Sequence, residues 1–227
     1  MFNTILFVAS SSADVPPNNN LEITVAGNTT NFVVLAAAQA LGFNNALTTD
    51  RTITLTINAG VQMTGTNGFQ TGALQQNTTL AVINNGSIYG GEGATGSGGG
   101  NGGAGSTAVV YSTVTGGSAT HSWINNSTIN GGRGGGGSAG RTTTSHDDGD
   151  GGTDCELPTK TGTAGAVGAF GGTGGTGSYS ASSNANDIAD CLVFTPGTGG
   201  AGGAAIQWQG RTVSFTNNGA VSGSIIA

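Results

Sequence analysis

Glycine recurs at every third position along a central stretch of this chain, a spacing that neither α-helices nor β-strands require. Ten of the sixteen residues from 90 to 105 are glycine. Those that keep the spacing are Gly90, Gly93, Gly96, Gly99, Gly102 and Gly105. The spacing returns in 131–140, 162–177 and 197–203. Flexible glycine linkers have no physical reason to keep a fixed spacing. The pattern therefore favours an ordered structure over the alternative of flexible linkers.

A three-residue repeat matches the polyproline II helix, which has three residues per turn and no internal hydrogen bonds. Glycine can adopt this helix without proline if neighbouring segments satisfy its backbone N–H and C=O groups. Ordering glycine costs more backbone entropy than ordering any other residue, so a dense lateral hydrogen-bond network is needed. The predicted fold is mainly irregular and β. A short N-terminal strand–helix–strand region precedes a packed bundle, or sandwich, of polyglycine II helices with short flanking strands.

Composition excludes several classes of protein. The 227 residues carry a net charge of −6 with only five Lys and Arg, which disfavours nucleic-acid binding because that function needs a basic surface. Four prolines among 45 glycines exclude collagen. No apolar run has the length of a membrane span. The start, MFNTILFVASSSA, lacks the basic residue that opens a signal peptide, so such a peptide is disfavoured.

The N-terminal part resembles ordinary globular protein. The alternating segments LEITV (21–25) and RTITLTI (51–57) predict two strands. Between them, FVVLAAAQAL (32–41) predicts a short helix with Asn31 as its N-cap and Gly42 just beyond its C-terminus.

An internal repeat joins an apolar residue, an Asn-Asn-Gly-like turn, a second apolar residue and a glycine. Its copies are Ile83–Gly90, Ile124–Gly131, Phe215–Gly223 and, one residue out of register, Ile57–Gly65. Asn and Gly both tolerate positive φ, so each copy predicts a tight turn between two apolar segments. The alternative is a set of unrelated turns in an Asn-rich chain.

Three segments interrupt the glycine spacing, namely 107–122, 141–161 and 178–196. Compositionally rich loops on a rigid scaffold are typical of binding proteins, although each loop can also be a plain solvated connection. The last two segments hold Cys155 and Cys191, which can form one disulfide or remain as two thiols. The predicted domains are an N-terminal region, 1–50, and a glycine-rich domain, 51–227, that carries the three loops.

No catalytic arrangement emerges from the residues. Asp147, Asp148, Asp150 and Asp154 resemble a calcium loop, but Gly152 occupies a required ligand position, so only a loose oxygen-ligand site is left as an alternative. Matches to G-x-G-x-x-G and G-x-S-x-G are expected by chance in glycine-rich sequence, and neither histidine has a recognisable nucleophile partner. The sequence predicts no enzyme activity, no metal and no cofactor.

Two segments, INNGSIYGGEGATGSGGGNGG and INNSTINGGRGGGGSAG, resemble the glycine-rich motifs of tailed-bacteriophage adhesins, the receptor-recognition proteins at the tips of T-even-like long tail fibres. TITLTINAGVQMTG resembles the strand that leads into the first motif. The resemblance covers roughly residues 50–227. It implies a polyglycine II sandwich whose distal loops bind an outer-membrane protein or glycan of the host. It also implies that residues 1–50 are an attachment region, which binds another tail or fibre protein of the virion, and that 51–227 are the adhesin domain.

By this resemblance, polar, aromatic and apolar residues of the three loops become receptor-binding candidates. They are Tyr111, His146, Asp147, Asp148, Asp150, Asp154, Glu156, Lys160, Tyr179, Asp187, Asp190, Leu192 and Phe194. Two other functions compete with the adhesin: a structural or decoration protein of the virion, and an ice-binding protein, because glycine-rich antifreeze proteins share the three-residue spacing.

Overall fold

The regular elements of this chain are strands and one short helix, seen in a computed structural model. It describes residues 7–8, 20–46, 49–97, 100–112, 120–138, 142–143, 168–172, 174–175, 192–193 and 197–227. Within these residues the helix is α1, Val34–Ala40. The strands are β1 Phe7–Val8, β2 Asn20–Val25, β3 Thr29–Val33, β4 Arg51–Ile57, β5 Gln62–Gln70, β6 Thr78–Asn84, β7 Ser87–Tyr89, β8 Val109–Val110, β9 His121–Asn125, β10 Thr128–Asn130, β11 Thr142–Thr143, β12 Leu192–Val193, β13 Ile206–Gln207, β14 Val213–Asn217, β15 Ala220–Ser222 and β16 Ile225–Ile226.

The first sheet follows from strict alternation in its strands. In β4 and β6 every second side chain is buried, and threonine and other β-branched residues fill much of the remaining surface, as a half-buried strand prefers. The sheet order is β1-β2-β4-β6-β9-β14, and all its pairs are parallel except β1 with β2. One row of buried and partly buried side chains crosses five strands in register. It contains Ile23, Leu55, Val82, Trp123 and Phe215.

The second sheet is curled because the two ends of β5 pair with different strands. Met63, near the start of β5, pairs with Ile88 of β7, whereas Phe69, near its end, pairs with Val109 of β8. The pairs are parallel, in the order β15-β10-β7-β5-β8-β13-β16, and β3 also pairs with β5.

The two sheets share a repeated path, which we describe as rungs. Each rung is a strand of the first sheet followed by one or two segments of the second. The five rungs are β2–β3, β4–β5, β6-β7-β8, β9-β10-β13 and β14-β15-β16. Each rung hydrogen-bonds to the next in register, which is the construction principle of a parallel β-solenoid.

Both glycine-rich segments are insertions at one corner of this path. Residues 90–108 separate β7 from β8, and residues 131–205 separate β10 from β13. In the last rung the equivalent corner is only Gly223 and Ser224, where Gly223 takes a φ of +115°. The insertions therefore lengthen a turn that the last rung makes with two residues.

The predicted fold class is wrong. The described residues form a β-rich fold of two large, mostly parallel sheets with a single helix, and they give no evidence of a polyglycine II sandwich. The three-residue spacing instead marks positions where backbones approach too closely for a side chain. A Cβ at Gly93 would overlap the Gly103 carbonyl oxygen, and one at Gly134 would overlap that of Gly200. A spacing that reports close approach does not by itself define the architecture.

Two further predictions concern the N-terminal part. Both strands are confirmed as β2 and β4. The helix is shorter than predicted, because 32–33 belong to β3. Asn31 is not its cap: the N-cap position is Val33, and Asn31 has a φ of 51° at the irregularity in β3. Gly42 does end the helix, with a φ of +88° and its N–H donated to the Gln39 carbonyl.

The chain divides into two compact units. The first unit is Met1–Gly91, Ser106–Gly132 and Gly203–Ala227, and it contains the rungs. The second unit is Glu92–Gly105 and Arg133–Gly202, and it contains most of the glycine-rich insertions. The division into an attachment region, 1–50, and a binding domain, 51–227, is a functional one and stays a prediction.

Candidate functional site

A short strand pair joins two of the three predicted loops. β11 lies at the start of 141–161, β12 lies near the end of 178–196, and the two pair antiparallel, with Thr142 opposite Val193 and Thr143 opposite Leu192. These residues are more than forty positions apart in sequence, so no local pattern predicted the contact. The pair brings the beginning of one loop and the end of the other to the same place in the second unit.

Most predicted site residues lie outside the described part of the chain. Leu192 is on β12. The candidates outside are His146, Asp147, Asp148, Asp150, Asp154, Glu156, Lys160, Tyr179, Asp187, Asp190 and Phe194, together with Cys155 and Cys191. They stay predictions, as does the disulfide.

Tyr111 lies in the core of the first unit rather than at a loop surface, with 1% of its side chain exposed. Part of the predicted loop 107–122 is also strand, because β8 and the start of β9 fall inside it. Burial raises the pKa of the Tyr111 hydroxyl far above its usual range. In this conformation the residue packs the core and offers no surface to a receptor.

An aromatic cluster surrounds Tyr111. Its ring lies 5.5 Å from the His121 ring and 5.1 Å from the Trp208 ring, and Trp123 packs nearby. His121 Nδ1 accepts the Leu80 N–H at 3.1 Å, so the imidazole is neutral and carries its proton on Nε2. Burial, assisted by the positive charge of Arg211, lowers the His121 pKa to about 4. The histidine therefore packs as a neutral ring.

A charged and aromatic cluster in the second unit was missed by sequence reasoning. Arg133 Nε lies 3.4 Å from a Glu92 carboxylate oxygen, and the Arg133 guanidinium sits 4.1 Å from the centre of the Phe170 ring. Both charged side chains are partly exposed. Isolated charges inside glycine tracts are the sequence signal that was available, because each interrupts an otherwise uncharged run.

The Asn-Asn-Gly repeats predicted turns, and the structure confirms turns that connect the two sheets. They also stack as two amide ladders. In the inner ladder Asn84 Nδ2 donates to Asn125 Oδ1, and Asn125 Nδ2 donates to Asn217 Oδ1, both at 2.8 Å. The outer ladder consists of Asn85, Asn126 and Asn218, again joined side chain to side chain. These residues hold the rungs in register, a structural role.

An open apolar groove lies between β3 and α1 in the first unit. Its volume is about 280 Å³, and it is lined by Thr29, Thr30, Asn31, Phe32, Val33, Ala36, Ala37 and Ala40. Small and apolar side chains dominate its wall, which suits contact with another apolar surface more than with a charged ligand.

The described ranges contain neither a cluster of metal-binding side chains nor a membrane-spanning helix. Across those ranges, His, Cys, Asp and Glu do not gather in any group of three that would hold a metal ion. The helix found there falls short of the length and apolarity needed to cross a membrane.

Known proteins supply the remaining evidence. The family model of the phage tail fibre adhesin Gp38 matches residues 20–226. No curated protein sequence matches the chain significantly. A solved structure, the gp37–gp38 adhesin tip complex of the bacteriophage S16 long tail fibre, is similar at 17% identity with a TM-score of 0.48, covering 90% of this chain and 82% of that chain. Because the family model spans nearly the whole sequence, this chain belongs to the Gp38 family of phage tail fibre adhesins, the receptor-binding proteins that the virion carries on its tail fibre.

Proposed function

We propose that this adhesin contacts its receptor through one composite surface made by residues 144–161 and 178–191, here called the acidic loops. The observation that carries the proposal is the β11–β12 pair, which joins the start of the first loop to the end of the second. Two segments anchored at one place can present a joint surface, whereas either alone offers a smaller one. The family is one of adhesins rather than of enzymes, so the surface is proposed to bind and not to catalyse.

The composition of the acidic loops suggests the chemistry of the receptor. They contain the candidate residues His146, Asp147, Asp148, Asp150, Asp154, Glu156, Lys160, Tyr179, Asp187 and Asp190. Seven of these carry carboxylates, which accept hydrogen bonds from hydroxyl groups or pair with basic side chains. The proposed receptor is therefore an outer-membrane protein with basic surface loops or a hydroxyl-rich glycan of the host.

Attachment to the virion is proposed to use residues 1–50. The groove between β3 and α1 lies in this region and has an apolar wall, which suits the buried centre of a protein–protein interface. The similar structure from bacteriophage S16 is itself a complex of two fibre proteins, gp37 and gp38. We propose a fibre protein as the partner of this groove.

Replacing each acidic loop by a Gly/Ser segment of equal length, with β11 and β12 retained, tests receptor binding. We expect either replacement to abolish adsorption of purified adhesin to host cells while the thermal unfolding of the first unit is unchanged. Glu92→Gln is the matched control, because it removes one carboxylate outside the acidic loops and is expected to keep adsorption. Normal adsorption by both folded replacements would contradict the proposal and favour a structural role in the virion.

Substitutions in the groove between β3 and α1 test attachment to the fibre protein. Ala36→Glu and Ala40→Glu place charge in the groove at exposed helical positions. We expect these variants to lose co-purification with the fibre protein while retaining adsorption to cells. Retained co-purification would overturn attachment through the groove and leave the receptor proposal untouched.

A further inference from the structure

Five Asn-Gly pairs fall within the described residues, and one of them differs from the others in exposure. The pairs begin at Asn67, Asn85, Asn101, Asn130 and Asn218. The glycine is buried in the pairs at 67, 85 and 130, and half-buried in the pair at 101. Only at Asn218-Gly219 are both residues exposed. We infer that Asn218 is a site of spontaneous deamidation, a covalent modification of the folded adhesin.

The chemistry requires a free backbone nitrogen. The Gly219 amide nitrogen attacks the Asn218 side-chain carbonyl carbon, a C–N bond forms, the amide proton is lost to solvent, and the side-chain nitrogen leaves as ammonia. Water then opens the five-membered succinimide at either carbonyl, giving aspartate or isoaspartate. Glycine favours the first step because it has no side chain to hinder the attack and its backbone rotates freely.

Hydrogen bonding distinguishes the pair at 218 from the pairs at 101 and 130. Gly102 N–H donates to the Thr198 carbonyl and Gly131 N–H to the Ser222 carbonyl, each at 2.8 Å. Gly219 N–H instead reaches only the Asn217 side-chain oxygen, at 3.3 Å. The Gly86 N–H makes the same kind of contact as the Gly219 N–H, to the Asn84 side-chain oxygen at 3.1 Å, so burial is what sets the pair at 85 apart. Attack by a nitrogen held in a backbone hydrogen bond first requires that bond to open, and opening costs least at exposed edges.

The position of the pair in the fold adds to this effect. Asn218 and Gly219 connect β14 with β15, and these strands are the outermost members of their sheets among the described residues. Neighbouring strands therefore hold this turn from one side only, through Asn218 N–H to the Asn125 carbonyl and Ala220 N–H to the Ser127 carbonyl. The inner rungs hold the equivalent turns at Asn85 and Asn126 from more sides.

Conversion of Asn218 has a defined structural consequence. Asn218 Nδ2 donates to Asn126 Oδ1 at 2.9 Å, and aspartate has no such donor. Asn126 can restore a bond by reversing its amide, provided that Asn85 also reverses, because Asn126 Nδ2 now donates to Asn85 Oδ1. Isoaspartate adds a methylene to the backbone between β14 and β15, which the register of the last rung does not accommodate. The isoaspartyl form therefore loosens that rung.

Incubation of the folded full-length chain at mildly alkaline pH, followed by peptide mass spectrometry, tests the inference. We expect Asn218 to convert to acid at least about tenfold faster than Asn101, because a factor of ten needs only about 1.4 kcal/mol of extra local opening. An isoaspartate-specific methyltransferase should label the same peptide. Comparable rates at Asn218 and Asn101, or faster conversion at a buried pair, would overturn the inference.

Two controls separate the effect of the folded structure on the deamidation rate from the effect of the local sequence. In denaturant the five pairs should convert at similar rates, because the unfolded chain gives each glycine nitrogen equal freedom; a preference for Asn218 that persists there would contradict the structural argument. Asn218→Gln should remove the modified peptide, since glutamine would need a less favourable six-membered ring. Persistent acid formation in that peptide would place the reaction elsewhere. Gly219→Ala is less suitable because its Cβ would overlap the Ser127 carbonyl oxygen.

Discussion

The two compact units of this adhesin reach order by different physical means. In the first unit, stacked rungs enclose large side chains such as Trp123, Phe69 and Leu55, each fully buried. In the second unit, none of the described residues contributes a buried apolar side chain, yet the backbone of 134–138 is buried. There the close contacts are made between backbones, with N–H groups donated laterally, as from Gly93 to the Arg133 carbonyl and from Gly96 to the Gly136 carbonyl.

The difference shows that burying side chains and burying backbone have separate requirements: apolar volume for the first and hydrogen-bond partners for the second. The first unit gains stability from apolar area removed from water, which depends on side-chain volume. The described residues of the second unit contribute little such area, so their buried backbone must be satisfied by hydrogen bonds at nearly every position. Each unit should therefore fail under a different kind of substitution: truncation of large residues in the first and enlargement of small residues in the second.

Trp123→Ala should have the largest effect. The side chain is fully buried and packs on Phe69, with ring centres 5.0 Å apart. Large-to-small changes at such positions typically cost about 3–5 kcal/mol, from lost transfer energy and the cavity that is left. Urea unfolding of the first unit measures the loss. A loss of stability no larger than that of a typical surface substitution would mean that the aromatic cluster contributes little to the stability of the core.

Gly135→Ala is the corresponding change in the second unit. The new Cβ would overlap the Ala94 carbonyl oxygen and lie 2.7 Å from the Gly93 carbonyl oxygen. Overpacking of this kind costs about 1–3 kcal/mol or more, because backbone must move. Limited proteolysis should show earlier cleavage in 92–105 and 133–202. Gly172→Ala is the control, because the nearest atom to its new Cβ would be 3.2 Å away. Equal proteolysis of the two variants would show that close backbone approach does not limit the stability of the second unit.

The amide ladders offer a comparison within the first unit. Asn125→Ala removes a buried side chain that bonds both Asn84 and Asn217, so two amide groups lose a partner. Asn84 is buried, so leaving its amide unsatisfied costs about 1–3 kcal/mol, whereas the exposed Asn217 can bind water instead. Asn126→Ala breaks the exposed outer ladder and should cost less than about 1 kcal/mol, because water replaces the lost bonds. Equal losses of stability in thermal unfolding would show that burial does not distinguish the ladders.

Sequence reasoning recovered what is local and missed what is long-range. The strands β2 and β4 and the turn after Asn84 were predictable because alternation and Asn-Gly chemistry act over a few residues. Their parallel stacking was not, because ladder partners stand 41 residues apart at Asn84 and Asn125, and 92 apart at Asn125 and Asn217. Unequal glycine insertions between the copies of the repeat hide any constant period.

The candidate site was predictable only in part, for the same reason. Loop composition pointed to 141–161 and 178–196, but the β11–β12 pair that joins them depends on contacts across the intervening chain. Tyr111 was selected for its residue type, and tertiary packing overrode that choice by burying it. The ion pair of Glu92 with Arg133 was likewise invisible, because nothing local relates positions in two different glycine tracts.

Acidification should gradually lower the free energy of unfolding of the first unit, because His121 lies in its core. Titration of His121 should leave the stability of the second unit unchanged. His121 has a pKa lowered to about 4 in the fold, whereas an unfolded histidine titrates near pH 6.5. Between these values the unfolded chain binds more protons, so stability is complete above about pH 6.5, falls as the pH drops through this window and levels off below the folded pKa. Thermal unfolding across the window should show the decline, and His121→Gln, which keeps an acceptor for the Leu80 N–H, should flatten it. If stability falls with pH just as steeply in that variant, the pH dependence comes from carboxylates, which are concentrated outside the rungs. Burial of His121 in the core would then not explain the pH dependence of the first unit.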